Sequence, residues 1–159
     1  MVASNDEIRF LIVDDDDVCQ LLLDRALKDL GARVPVITAV DGIEGLEVLR
    51  QVSGGGDASF PVIVLLDLRM PRMNGLEFLE VVRADPKLRG TTVFVLSTSS
   101  QRHDVEAAHS LGVAGYLVKP DDYEDFKDII AMLSHYRRQI VLPSPRSDSP
   151  TRLLQSSGK

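Results

Sequence analysis

Apolar positions along the chain fall into five short runs, each followed by a stretch in which they recur at helical spacing. The runs cover residues 8–13, 34–40, 60–66, 91–96 and 113–118. They are rich in Val and Ile and nearly unbroken, the pattern of parallel strands with both faces covered. The intervening helices are predicted over 18–30, 42–52, from Asn74-Gly75 to Asp85-Pro86, over 101–111 and over 122–139. In the first, Val18, Leu22, Leu23, Ala26 and Leu30 share a face, with Asp16 or Asp17 as N-cap and Gly31 as terminator. Cys19 falls in the apolar sector and reads as a small core residue. Asp41 caps the second helix. The fourth has a thin core face of Val105, Ala108 and Leu111, and Gly112 ends it. The fifth presents Tyr123, Phe126, Ile129, Ile130 and Leu133. Pro35 cannot donate to a ladder, so the second strand belongs at a sheet edge. Five strands alternating with five helices predict an α/β fold, a doubly wound parallel sheet with right-handed crossovers.

The length of 159 residues suits one domain. After Leu142 the chain turns to Pro, Ser and charge, so residues 143–159 are expected to form a disordered tail. The polar, acidic start has no secretory-signal pattern, and no apolar run approaches the roughly 18 residues of a membrane span. A single cysteine excludes an internal disulfide framework. A cytoplasmic location is the expectation, without membrane contact. The net charge of −6 argues against nucleic acid as a partner. Gly54-Gly55-Gly56 is followed by a strand and by no Lys-Ser or Lys-Thr, so it reads as a loop and not a phosphate cradle. His103, His109 and His135 read as solvent-facing helix residues.

What ends each strand changes the picture. Parallel strands share one carboxyl edge, where such sheets bind ligands. The first ends on Asp14 and Asp15, the third on Asp67, the fourth on Ser97 and the fifth on Lys119. Any one of these is an ordinary turn or surface residue; Asp67 alone reads equally well as the start of a turn. Together they gather carboxylates, a hydroxyl and an ammonium at one rim. Clustered carboxylates repel unless a cation sits among them, and Mg²⁺ suits such hard oxygen donors. A backbone carbonyl near Arg69 could complete its shell. Asp67 could then attack a phosphoryl donor, with Ser97 and Lys119 stabilising the phosphoryl oxygens.

The segments Leu11-Ile12-Val13-Asp14-Asp15, Leu65-Leu66-Asp67-Leu68-Arg69-Met70-Pro71-Arg72-Met73-Asn74-Gly75, Leu96-Ser97-Thr98-Ser99 and Tyr116-Leu117-Val118-Lys119-Pro120 resemble the receiver domain of two-component response regulators. The resemblance implies a flavodoxin-like fold, strand order 2-1-3-4-5, in a receiver domain over residues 7–142. It implies that Asp67 is the phosphoacceptor and that Asp14 and Asp15 bind Mg²⁺. Ser97 corresponds to the hydroxyl that moves to the phosphate, Lys119 to the salt-bridging lysine and Tyr116 to the aromatic switch. The expected function is that of a stand-alone regulator phosphorylated by a sensor histidine kinase. It would signal through a downstream protein or phosphotransfer partner and is not a conventional enzyme. Ala84-Asp85-Pro86-Lys87-Leu88 and Tyr136 to Pro143 are similar to small regulators serving phytochrome-type and hybrid kinases. Those regulators often dimerise through the fourth helix, fifth strand and fifth helix, which implies a possible homodimer here. Arg137 and Arg138 depart from the more apolar helix end of that group. Three other readings are weighed. An aspartate-nucleophile phosphatase typically has a second acid where this chain has Arg69. A flavin binder would need a first loop free of Asp14 to Asp17. An adaptor, or phosphate sink, would bind its partner irrespective of phosphorylation.

Overall fold

The computed structural model describes residues 2–57 and 59–144. From residue 145 onward, the tail expected over 143–159 lies outside the described residues. β1 (Arg9–Val13), β2 (Val36–Ala39), β3 (Val62–Leu66), β4 (Thr92–Ser97) and β5 (Gly115–Val118) form one parallel sheet in the order β2-β1-β3-β4-β5. The connecting helices are α1 (Asp17–Asp29), α2 (Gly42–Val52), α3 (Gly75–Ala84), α4 (Arg102–Ser110) and α5 (Tyr123–Gln139). The doubly wound α/β architecture read from the sequence is therefore present, with β2 at an edge. Pro35 stands just before β2, and its carbonyl accepts from the Phe10 N–H at 3.0 Å.

Successive strand residues alternate between two cores, as a pleated strand requires. Leu11, Val13, Val64, Leu66, Val93 and Val95 pack under α2, α3 and α4. Phe10, Ile12, Ile63, Leu65, Phe94 and Leu96 pack under α1 and α5. Full burial of side chains of this size stabilises by about 1.5–3 kcal/mol each. Asp16, Asp41, Asn74 and Asp122 cap α1, α2, α3 and α5 through their side chains. Each such cap contributes about 1 kcal/mol. Gln101, before α4, makes no side-chain cap.

The α1 face needs correction. Its buried residues are Cys19, Leu23, Ala26 and Leu27, whereas Val18 is 59 % and Leu30 38 % exposed. Val18, Leu21 and Leu22 widen the apolar sector of α1 beyond one face, so spacing alone admits two overlapping stripes. The stripe that begins at Cys19 is the one that meets β1 and α5.

The amino end adds an element the apolar pattern does not contain. Ser4 and Glu7 form a capping box around a single 3-10 turn, Asn5–Glu7. That turn is held by α5. Arg137 is buried, and its guanidinium donates to the Ile8 carbonyl at 2.5 Å and the Asp6 carbonyl at 3.2 Å. Ala3 N–H donates to Leu142 O at 3.1 Å, and Val2 pairs antiparallel with Pro143.

Candidate functional site

The strand ladders continue one residue past the strands and place the polar residues at the rim. Asp14 N–H donates to Ala39 O at 3.0 Å, Asp67 N–H to Val13 O at 2.9 Å and Lys119 N–H to Ser97 O at 2.8 Å. Asp14, Asp67, Ser97 and Lys119 are therefore fixed through their own backbones. Asp14, Asp67 and Ser97 are buried, Lys119 is nearly so, and Asp15 faces solvent. Oxygen atoms of Asp14, Asp15 and Asp67 lie within 4.8 Å of one another. Lys119 Nζ is 2.6 Å from Asp14 Oδ2 and 3.6 Å from Asp67 Oδ2. The Asp16 N–H donates to Asp14 Oδ1 at 2.9 Å and orients that carboxylate.

Burial raises the Asp67 pKa above the ordinary carboxylate range, and the Asp14 charge adds to it. Lys119, the Arg69 N–H and the Ser97 hydroxyl act in the opposite direction but do not cancel the rise. For Lys119, burial pulls the pKa down. The hydrogen bond to Asp14 and the surrounding negative charge override it, and the pKa ends above its ordinary value. Beneath the cluster, burial pushes the Cys19 thiol up to about 12, so Cys19 is an inert core residue. Three carboxylates against one ammonium leave excess negative charge in a half-buried site. That is the donor set a hard divalent cation suits.

The loop after β3 is clamped. A Cβ on Gly75 would run into the Asp67 carbonyl and come within 2.8 Å of the Leu68 Cα. Only glycine therefore lets α3 start this close to Asp67. Arg72 takes a left-handed φ of 64° and binds the buried Asp41, the α2 cap, through its guanidinium. This tie joins the β3–α3 loop to the β2–α2 loop.

Arg69 follows directly. Its N–H donates to Asp67 Oδ1 at 3.4 Å, while its guanidinium pairs with Asp104 on α4, Nη2 to Oδ2 at 2.6 Å. Asp104 is 3 % exposed. Its Oδ2 also accepts from Ser99 Oγ at 2.6 Å, and His103 Nε2 lies 3.2 Å from Oδ1. The Ser99 hydroxyl and the Arg69 charge hold the Asp104 pKa below its usual value. Tyr116, half-buried on β5, donates its hydroxyl to Ser99 O at 2.7 Å. Ser99 N–H in turn donates to Ser97 Oγ at 3.3 Å. Ser97 and Tyr116, predicted as a pair, are thus linked through Ser99. Sequence reading missed Asp104. Its signal was an acid four residues before Ala108, on the core face of a thinly apolar helix.

Residues 10–131 match the family described as response regulator receiver domain. The chain belongs to that family. The receiver is 35 % identical over 136 residues to the probable methanogenesis regulatory protein FilR2 of Methanothrix harundinacea (strain 6Ac), covering 86 % of this chain and 87 % of that one. The solved structure of the phosphorylated cyanobacterial phytochrome response regulator RcpA superposes with a TM-score of 0.73 at 28 % identity, over 87 % of this chain and 98 % of that one. The Mn²⁺-bound form of response regulator Rcp1 gives 0.69 at 28 % identity, over 86 % and 99 %. Receiver domains are signalling modules of two-component systems and not conventional enzymes. They bind Mg²⁺ or Mn²⁺ at an acidic pocket and interact with histidine kinases and downstream partners. Among the described residues of this receiver, no helix is long and apolar enough to cross a membrane.

Proposed function

We propose that Asp67 accepts a phosphoryl group from a sensor histidine kinase or a phosphorelay histidine. The observation that carries this reading is the carboxylate of Asp67, held at the sheet rim 3.6 Å from Lys119 Nζ and clustered with Asp14 and Asp15. Asp14, Asp15, Asp67 and the backbone carbonyl of Arg69 would hold Mg²⁺. When bound, the ion supplies positive charge to a phosphoryl oxygen. An oxygen of Asp67 attacks phosphorus in line; the O–P bond forms as the P–N bond of the donor phosphohistidine breaks, and the imidazole leaves. Lys119 and the Ser97 hydroxyl stabilise the charge on the transferred oxygens.

The aspartyl phosphate then acts as a switch. Ser97 moves toward the phosphoryl group, and Tyr116 leaves Ser99 O and turns inward. The face formed by α4, β5 and α5 changes with it. β5 is open along its length and Val118 is exposed, which supports protein contact there, with a downstream partner or a second copy. The likeness to RcpA supports a phytochrome-type kinase as donor. A cytoplasmic location goes with this reading, because ATP-fed kinases load their histidines there.

Intact mass measurement tests the proposal. With Mg²⁺ and acetyl phosphate, the chain gains the mass of one phosphoryl group and Asp67→Ala gains none. No gain in the wild type, or an equal gain in D67A, overturns it.

A further inference from the structure

Asp104 binds the Arg69 guanidinium from α4, while the Arg69 peptide N–H binds Asp67 Oδ1. The arginine is rooted at one carboxylate and tethered at its tip to another. We propose that Asp104 is a positioning residue that keeps the Arg69 guanidinium on α4 until a phosphoryl group on Asp67 takes it over. The inference rests on the phosphoacceptor role proposed for Asp67.

Three observations carry it. Arg69 and the Ser99 hydroxyl converge on one oxygen, Asp104 Oδ2, each at 2.6 Å. The guanidinium therefore shares its acceptor, and Asp104 keeps a hydrogen bond when the arginine leaves. Arg69 is well exposed, with 59 % side-chain accessibility, so solvent screens its charge and its departure uncovers no buried cation, while the buried Asp104 carboxylate keeps the Ser99 hydroxyl and His103 as partners. Finally, α4 has no side-chain N-cap, so its first turn is tied to the site through Asp104 and Ser99.

A phosphoryl group adds about −1.5 to −2 charge and three acceptor oxygens beside the root of Arg69. Guanidinium forms paired hydrogen bonds to phosphate oxygens, whereas a single Nη2 contact joins it to Asp104. Transfer of the arginine leaves Asp104 held by Ser99 and His103. Ser99 also carries the Tyr116 hydroxyl on its carbonyl, so the loss of the arginine from Asp104 acts on the residue that holds the Tyr116 hydroxyl.

Beryllofluoride, a stable phosphoryl mimic, provides the test. Its affinity is measured with Mg²⁺ by fluorine NMR in the wild type, Asp104→Asn, Arg69→Ala and the double variant. Removing the competitor tightens binding in D104N by roughly threefold to fivefold, the worth of a pair whose arginine is screened by solvent. In the R69A background the same substitution has no effect. An unchanged or weaker affinity in D104N overturns the proposal, as does an equal gain in the R69A background. A second measurement needs no change at Asp104: the Arg69 Nε–H resonance of the wild type shifts on beryllofluoride binding, and a stationary resonance refutes the transfer. A wild type that gains no mass from acetyl phosphate overturns the role of Asp67 as well. One that gains mass while D104N binds beryllofluoride with the wild-type affinity overturns only the role of Asp104.

Discussion

Lys119→Met isolates the electrostatics of the site. The methionine keeps most of the stem and removes the ammonium. At an effective dielectric constant of about 20, the Coulomb attraction across 2.6 Å to Asp14 is about 6 kcal/mol, and across 3.6 Å to Asp67 about 5 kcal/mol. The cost of desolvating the ammonium, several kcal/mol, offsets much of this. What survives falls in the range for breaking a buried pair, so we expect K119M to lose about 3 kcal/mol at neutral pH. For a domain of this size the melting temperature falls by roughly 6–12 °C. The loss depends on pH in a defined direction. Without the ammonium, the repulsion of Asp14 and Asp67 is unopposed, and the folded Asp67 pKa rises further. A raised carboxylate pKa gives stability below the unfolded value, near pH 4, that is lost as pH rises through the folded value. The gap between K119M and the wild type therefore widens from about pH 4 to pH 7. Urea unfolding in EDTA at several pH values measures it, and added Mg²⁺ should narrow the gap by replacing the missing charge. A gap independent of pH, or none, would refute the claim that Lys119 is held there by charge.

Asp67→Asn makes the opposite prediction. Because burial raises the Asp67 pKa, ionising it costs folding free energy, so in EDTA D67N is the more stable protein at neutral pH. The advantage fades as pH falls through the raised pKa toward the unfolded one, which thermal melts across that window will show. Gly75→Ala forces a methyl group into the Asp67 and Leu68 backbone. It should cost about 1–3 kcal/mol in urea unfolding and slow phosphoryl uptake by mass measurement, because the displaced backbone is that of the proposed acceptor. Arg137→Met keeps the buried stem and removes two charge-assisted hydrogen bonds, for a net loss of about 2 kcal/mol. Phosphoryl uptake should not change, since these bonds lie on the amino-terminal segment and not at the carboxyl rim.

The parts of this receiver that were legible in its sequence share a physical property: they interrupt a pattern. Asp14, Asp67, Ser97 and Lys119 each end an apolar run, and parallel strands bring run-ends together. Pro35 and Gly31 likewise declare backbone restrictions on their own. Asp104 and Arg137 do not. Each is a charged residue on a helix, like the many solvated ones around it, and its burial depends on partners 35 and 129 residues away. The α1 face was misread for the opposite reason. A helix apolar on several sides has no interruption to read, and packing against β1 and α5 makes the choice. The Ser4–Glu7 capping box was visible in principle, but no apolar run followed at helical spacing to draw attention to it.

The clasp of the amino-terminal segment onto Arg137 and Leu142 has a kinetic consequence. Ile8 O and Asp6 O are satisfied by Arg137, and Ala3 N–H by Leu142 O. During synthesis, residues 2–8 are made long before α5, so this strap waits with open carbonyls while the central strands pair. It can close only after α5 has left the ribosome. Closing a contact of such long sequence separation costs loop entropy before the contact rewards it. If the clasp closes after the folding transition state, losing it speeds unfolding and leaves the folding rate unchanged, which stopped-flow rates of R137M would show.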